Sequence, residues 1–248
     1  MEKDQVFACK KDKVKPFEFN KEVADVFDNM LLRSVPLYVQ SIERQAQFAS
    51  LYYQESSRIY DLGCSHGNLG ILILEQFNKK RFSTSSPFSM VGVDNSMPMI
   101  KKYFKRLGNC DNGGQIELVC GFLEDIKIKN ASVVLINLTL QFLDIKKRDD
   151  LIKKIYKGLN HNGILLLTEK IIHSSKLIDN IQTQFYKKFK IENGYSRLEI
   201  SQKRDALEKV LVPDTIETHE KRILKAGFKH FDVWLKWFNF ASMIAIKQ

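Results

Sequence analysis

The stretch Asp61-Leu62-Gly63-Cys64-Ser65-His66-Gly67 decides how the rest of the chain is read. It completes a short apolar run over 58–62, which reads as a buried strand, and it leads into a very apolar helix over 69–77. Glycine at 63 and 67 lets the backbone turn sharply and lets a ligand lie against the main chain. The helix behind the turn offers unpaired N–H groups at its N-terminus. A pair of glycines also fits an ordinary strand-to-helix turn, so the assignment depends on what surrounds it.

Outward from the turn, strand and helix patterns alternate. A second strand over 89–93 closes on Asp94-Asn95-Ser96 and is followed by a helix over 97–107. Strands over 116–120 and 132–136 come next, then a helix over 146–159 and a fifth strand over 163–168. Helices are predicted over 176–191, 196–211 and 215–226, and two strands, 230–237 and 240–247, follow with little between them. Alternation implies parallel strands joined by right-handed crossovers. The last two strands are joined too tightly for a crossover and should pair antiparallel. The expected fold is α/β and Rossmann-like: a mostly parallel seven-stranded sheet with a C-terminal antiparallel hairpin. That is the arrangement of class I methyltransferases rather than of nicotinamide dehydrogenases.

Upstream lies a polar arm, then Asn20 as the N-cap of a helix with Val23, Val26, Phe27 and Met30 at helical spacing. Pro36 pushes Val35 out of helix. Residues 1–50 are expected to form a helical extension packed on the core, and 51–248 a single cofactor-binding unit.

With 248 residues, 44% hydrophobic and 27% charged, the chain suits one α/β domain with a large core. It contains no apolar run of the roughly 18 to 20 residues that a spanning helix needs. The first residues carry charges but no apolar core of a secretory signal, so a cytoplasmic protein off the membrane is expected. Cys9, Cys64, Cys110 and Cys120 form no CxxC pair and read as reduced thiols; the histidines show no metal spacing, and no metal is expected. The net charge of +10 is dispersed over small clusters: Lys10-Lys11, Lys79-Lys80-Arg81, Lys101-Lys102, Lys146-Lys147-Arg148 and Lys187-Lys188. Such dispersal argues against direct nucleic-acid binding, while the field still concentrates small anions, dicarboxylates included.

Two further residues stand out. Asp94 ends the second strand, where a carboxylate accepts both hydroxyl hydrogens of a ribose. The alternative is an N-cap for the next helix, which Asn95 or Ser96 would serve equally well. Glycines spaced GxxxG, rather than GxGxxG, favour S-adenosylmethionine over a dinucleotide. Arg204 falls in the middle of an apolar stripe made by Ile200, Leu207 and Leu211 on the 196–211 helix. A buried guanidinium without a partner is costly, so either something anionic meets it or it snorkels to the surface along its own stem.

The residues resemble those of the carboxy-S-adenosyl-L-methionine synthase family. The matching pieces are Val23-Ala24-Asp25-Val26-Phe27 with Asn29-Met30, Arg33-Ser34-Val35-Pro36-Leu37-Tyr38, Tyr60 to Ser65, Val93 to Ser96 with Pro98-Met99-Ile100, and Asn130 to Val134. They continue through Leu138 to Leu143, Lys154 to Asn160, Asn193 to Ser196, Leu198 to Arg204 and Trp237 to Phe240, in order over nearly the whole chain. The resemblance implies an enzyme that converts S-adenosylmethionine and prephenate to carboxy-S-adenosylmethionine and phenylpyruvate. Its product would supply a tRNA carboxymethyltransferase acting on wobble uridine.

Carried over by position, Tyr38 touches the cofactor's amino-acid end, while Gly63, Cys64 and Ser65 line it. Asp94 and Asn95 fall at the ribose, and Asn137 under the reacting end. Arg204, the one residue implied as catalytic, grips the added carboxylate from the neighbouring subunit of a homodimer. The family's acidic residue for the adenine amino group is replaced here by Gly121-Phe122-Leu123, where the Phe122 ring stacks on adenine or the backbone bonds to it, with Glu124 or Asp125 as possible substitutes. The competing readings are a conventional methyltransferase and a non-catalytic carrier of the nucleoside.

Overall fold

The computed structural model describes residues 2–80, 88–110 and 115–248; Arg81, the third member of one basic cluster, lies outside them. Helix α1, Lys21–Ser34, starts as its sequence predicts, with the Asn20 side chain accepting from the Val23 N–H at 3.0 Å. Val35 is extended (φ −113°), as the following proline requires. Helix α2, Tyr38–Tyr52, was not predicted: Pro36 ends one helix, and the chain starts another two residues later through Leu37 at φ +53°. Its buried residues Ile42, Gln45, Ala46 and Ala49 repeat at helical spacing.

The predicted alternation follows. It runs β1 Arg58–Leu62, α3 Asn68–Lys80, β2 Met90–Asp94, α4 Met97–Leu107, β3 Ile116–Cys120, β4 Ala131–Asn137, α5 Ile145–Gly158 and β5 Leu159–Lys170. Then come α6 Lys176–Glu192, α7 Arg197–Leu207, α8 Ile216–Ala226, β6 His230–Trp237 and β7 Phe240–Ile246. The sheet order is β3-β2-β1-β4-β5-β7-β6, with β1 to β5 parallel and β7 antiparallel to both β5 and β6. The expected parallel sheet with its closing hairpin is therefore what the chain forms.

Strand β4 shows why these runs read as buried. Val133 and Leu135 face a core with α2, α3 and α4, whereas Val134 and Ile136 face one with α5 and α8. Both faces are covered, so both sets are apolar. A third cluster, with Phe7, Phe17, Val26, Met30 and Met99, lies beneath the N-terminal arm. The strand order reverses at β1, which places a ligand crevice at the carboxyl ends of β1 and its neighbours.

The arm is sewn down by polar contacts. Gln202 of α7 donates to the carbonyls of Phe7 and Cys9, both at 2.9 Å. Arg33 donates to the Asp4 carbonyl at 3.1 Å, and the Tyr195 hydroxyl donates to the Asp4 carboxylate at 2.5 Å.

Candidate active site

The β1–α3 turn uses its glycines for geometry. Gly63 and Gly67 adopt φ of +87° and +88°. A Cβ on Gly63 would fall 2.1 Å from Thr139 Oγ1, and one on Gly67 2.1 Å from the Tyr103 ring. The turn thus packs against the loop after β4 and against α4 with no room for a side chain. Gly63 and Cys64 donate their N–H groups to the Val93 carbonyl at 2.8 and 3.0 Å, and Ser65 sits at φ +52°.

Asp94 braces this turn. One carboxylate oxygen accepts from the Ser65 N–H at 2.9 Å and the other from the Ser96 N–H at 2.8 Å. The α4 cap itself is Ser96, whose side chain accepts from Met99. Of the two readings of Asp94, the N-cap therefore falls away. Burial pushes its carboxyl above the usual range, opposed by the two N–H bonds.

The turn opens into a cavity of about 440 Å³. Tyr38, Gly63, Cys64, Ser65 and Asp94 line it, as do Asn95, Phe122, Leu123 and Asn137. These nine residues come from α2 and the ends of four parallel strands, and the fold brings them together. Cys64 is buried and its thiol is pushed well up by desolvation, which fits packing rather than reaction. Phe122 is 59% exposed, leaving its ring face open at the wall, while Leu123 is buried. Glu124 lines the cavity and is paired to Lys147 at 2.9 Å, whereas Asp125 lines a separate surface groove.

Two braces hold the walls. Asn68 donates to Asp28 at 2.8 Å and to the Tyr38 hydroxyl at 3.2 Å, and His66 Nε2 lies 2.8 Å from Asp28. The loop after β4, with Leu138 at φ +58°, is held by the buried Glu169 carboxylate. It accepts from the N–H groups of Thr139, Leu140 and Gln141 at 3.0, 2.7 and 3.1 Å. Burial pushes this carboxyl up to about 8, opposed by the three N–H bonds.

Arg204 does not lie within an apolar stripe. Helix α7 ends at Leu207, so Leu211 is not on it and the proposed stripe does not form. The helix buries Glu199, Ile200, Gln202 and Ala206 and turns Arg204 outward, 63% exposed and paired with Asp205 at 2.9 Å. The inward cation is its neighbour, Lys203, which lines the cavity with Lys170 and Tyr186. Sequence reasoning also passed over Asp61, a cavity-lining carboxyl that is fully buried with one oxygen lacking a hydrogen bond. Burial, with the Asp94 charge nearby, pushes it up to about 7. Its signal was available, since an acid inside an apolar strand is unusual.

Among the described residues, no group of three or more His, Cys, Asp or Glu is arranged to hold a metal ion, and no helix is long and apolar enough to cross a membrane.

A family model described as a methyltransferase domain matches residues 59–163. A human N-acetylserotonin methyltransferase structure superposes with a TM-score of 0.60 at 14% identity, covering 92% of this chain and 55% of that one. An O-methyltransferase family protein from Burkholderia thailandensis gives 0.61 at 17%, covering 95% and 65%. This chain thus spans between half and two thirds of those longer structures, and the likeness establishes the Rossmann-like class I methyltransferase fold. Similarity in sequence runs further. A protein of Desulforapulum autotrophicum named carboxy-S-adenosyl-L-methionine synthase is 54% identical over 247 residues, covering 100% of this chain and 98% of the relative. Proteins of the same name from Shewanella sediminis and Histophilus somni are 44% and 42% identical, covering 98% and 100% of this chain and 98% and 100% of theirs.

Proposed function

The chain belongs to the carboxy-S-adenosyl-L-methionine synthase family, and from that premise we propose that prephenate is its second substrate and phenylpyruvate its second product. The enzyme is a transferase with S-adenosylmethionine as substrate and carboxy-S-adenosylmethionine as product. Prephenate loses CO2 and the ring hydroxyl as its ring becomes aromatic. The sulfonium methyl loses a proton, its carbon bonds the CO2, and the hydroxyl and proton leave together as water. The positive sulfur stabilises the intervening carbanion. The protein's part is to align the two reactants, exclude water and supply cationic partners for carboxylates.

One observation carries the anionic second reactant. The cavity that contains the glycine turn and Asp94 is also lined by the ammonium-bearing Lys170 and Lys203. A conventional methyl transfer needs an electron-rich acceptor over the methyl and has no use for buried cations beside it. The orphaned oxygen of Asp61 suits the cofactor's ammonium group. In this reading Tyr38 meets the amino-acid end, and Gly63, Cys64 and Ser65 pass along it. Asp94 and Asn95 take the ribose, Phe122 stacks on adenine beside Leu123, and Asn137 lies under the methyl.

Arg204 reaches the added carboxylate from a second copy in a cytoplasmic homodimer. Its outward position supports that role. So does α6, the preceding helix, which buries none of its residues and exposes Leu177, Ile181 and Phe185. Exposed apolar faces of this kind mark interfaces. The product then passes to a tRNA carboxymethyltransferase for wobble uridine.

The test is mass spectrometry of the purified enzyme with both substrates. A product heavier than S-adenosylmethionine by one CO2, with phenylpyruvate in equal amount, is expected. Formation of demethylated cofactor with a methylated acceptor would refute the reading.

A further inference from the structure

The cationic side of the cavity has a structure of its own. Lys170 ends β5, Lys203 sits on the inner side of α7, and Tyr186 of α6 lines the cavity with them. Lys170 Nζ lies 5.6 Å from the Tyr186 ring centroid and Lys190 Nζ 4.3 Å from it. The Tyr186 hydroxyl is already committed, donating to the Ser34 carbonyl at 2.8 Å. Lys203 Nζ is buried with no hydrogen bond; its nearest carboxylate, Asp4, stands 3.9 Å away and already accepts from Tyr195. Among the described residues, Lys170 Nζ has the Tyr186 face and no ion pair.

Burial and mutual repulsion push Lys190 down to about 7; burial pushes Lys203 down to about 8 and also lowers Lys170. Like charges held together away from water are unfavourable unless an anion completes them.

The sheet order fixes where that anion lies. Along the carboxyl edge come Asp94 on β2, the glycine turn on β1, Asn137 on β4 and Lys170 on β5. Neighbouring strands are about 4.8 Å apart, so Lys170 stands roughly 14 Å along the edge from Asp94 and one strand beyond Asn137. Given the function proposed above, on which this inference rests, the cofactor occupies β2 to β4 and the second reactant the position beyond.

That reactant carries two carboxylates, and only one leaves as CO2. A desolvated ammonium gripping the departing group would stabilise a charge that must vanish, raising the barrier. We propose that Lys170 and Lys203 hold the other carboxylate, the one retained in the 2-oxo acid product, and so select a dicarboxylate as co-substrate. The lysines then contact reactant and product alike and act on binding rather than on the chemical step.

Lys170→Met and Lys203→Met, made separately, test this. Phenylpyruvate binding to the S-adenosylmethionine-saturated protein should weaken by roughly tenfold to a hundredfold, the usual range for one hydrogen bond to a charged group. The KM for prephenate should rise by a similar factor, with kcat and S-adenosylmethionine affinity little changed. Lys170→Met leaves the Asp4 arm untouched, so it remains informative if Lys203→Met misfolds. A fall in kcat at unchanged KM would place the lysines on the departing group and overturn the proposal. An equal loss of S-adenosylmethionine or carboxy-S-adenosylmethionine affinity would overturn it too, by assigning them to a cofactor carboxylate. If the native enzyme released no phenylpyruvate from prephenate, the choice of prephenate would fall. The phenylpyruvate-binding comparison would still decide whether the lysines hold a 2-oxo acid.

Discussion

Replacing Asp94 separates bracing from binding. Its two oxygens accept from Ser65 and Ser96 at 2.9 and 2.8 Å, and it lines the cavity. Asp94→Ala strips both acceptors. In the ligand-free protein the Ser65 N–H borders a cavity that water can enter, whereas Ser96 is buried, so the loss should be about 1 to 2 kcal/mol. For a chain of this length that lowers Tm by roughly 2 to 8 °C. With cofactor bound, the ribose hydroxyls also lose a charged acceptor, at a cost on the order of 2 to 4 kcal/mol, or about 30- to 1000-fold in Kd. Asp94→Asn keeps one carbonyl oxygen but turns an NH2 toward an N–H donor, so it should recover only a minor part. Titration calorimetry with S-adenosylmethionine, beside thermal melts of the free protein, reads both effects. A lowered Tm with unchanged affinity would refute the ribose assignment and leave Asp94 as a brace alone.

Arg204→Ala should leave protomer stability almost unchanged, because the side chain is exposed and its Asp205 pair is screened. Calorimetry should show affinity for carboxy-S-adenosylmethionine weakened by roughly 2 to 5 kcal/mol with S-adenosylmethionine little affected; equal losses would sink the carboxylate grip. Phe185→Glu together with Ile181→Glu should yield monomers in light scattering, and an unchanged particle mass would remove α6 from the interface. The buried Asp61 titrates at about 7 when folded against an ordinary value of 3.8. Between about pH 4 and 7 the folded state therefore holds a proton that the unfolded state has released, and this group's contribution to stability falls as pH rises through that window. Denaturant melts of Asp61→Asn should show a stability advantage over the native protein that grows by on the order of 2 to 4 kcal/mol from about pH 5 to pH 7.5. A constant difference would mean Asp61 is ionised throughout.

Much of the sheet and the cofactor side of the cavity was legible because local signals and tertiary structure agree there. Continuous apolar runs such as Val133 to Ile136 belong to strands buried on both faces, and glycine spacing reports backbone shape directly. Helix α2 escaped because Pro36 speaks only for the residue before it, and nothing in Leu37-Tyr38 announces a helix start. Arg204 was misplaced by a boundary: carrying the helix to 211 made Leu211 a facing residue, whereas the helix stops at Leu207. Of the two readings left open for Arg204, burial against an anion and escape to the surface, the helix takes the second, and the cation that lines the cavity is its neighbour Lys203. The lysine cluster itself was illegible, being assembled from β5, α6 and α7 with a counter-charge from the N-terminal arm.

That arm bears on the order in which the molecule assembles. Asp4 and Tyr195 lie 191 positions apart, whereas the cofactor side of the cavity is gathered largely from 61 to 142. Closing so long a loop carries an entropic penalty that the local segments avoid. During synthesis the parallel strands can settle while the arm waits for α7 to appear, and only its capture brings Asp4 to Lys203. The same contacts, which add no strand to the sheet, should be first to open on mild warming. An ageing or heat-stressed population would accordingly lose discrimination among co-substrates before it lost its grip on the nucleoside.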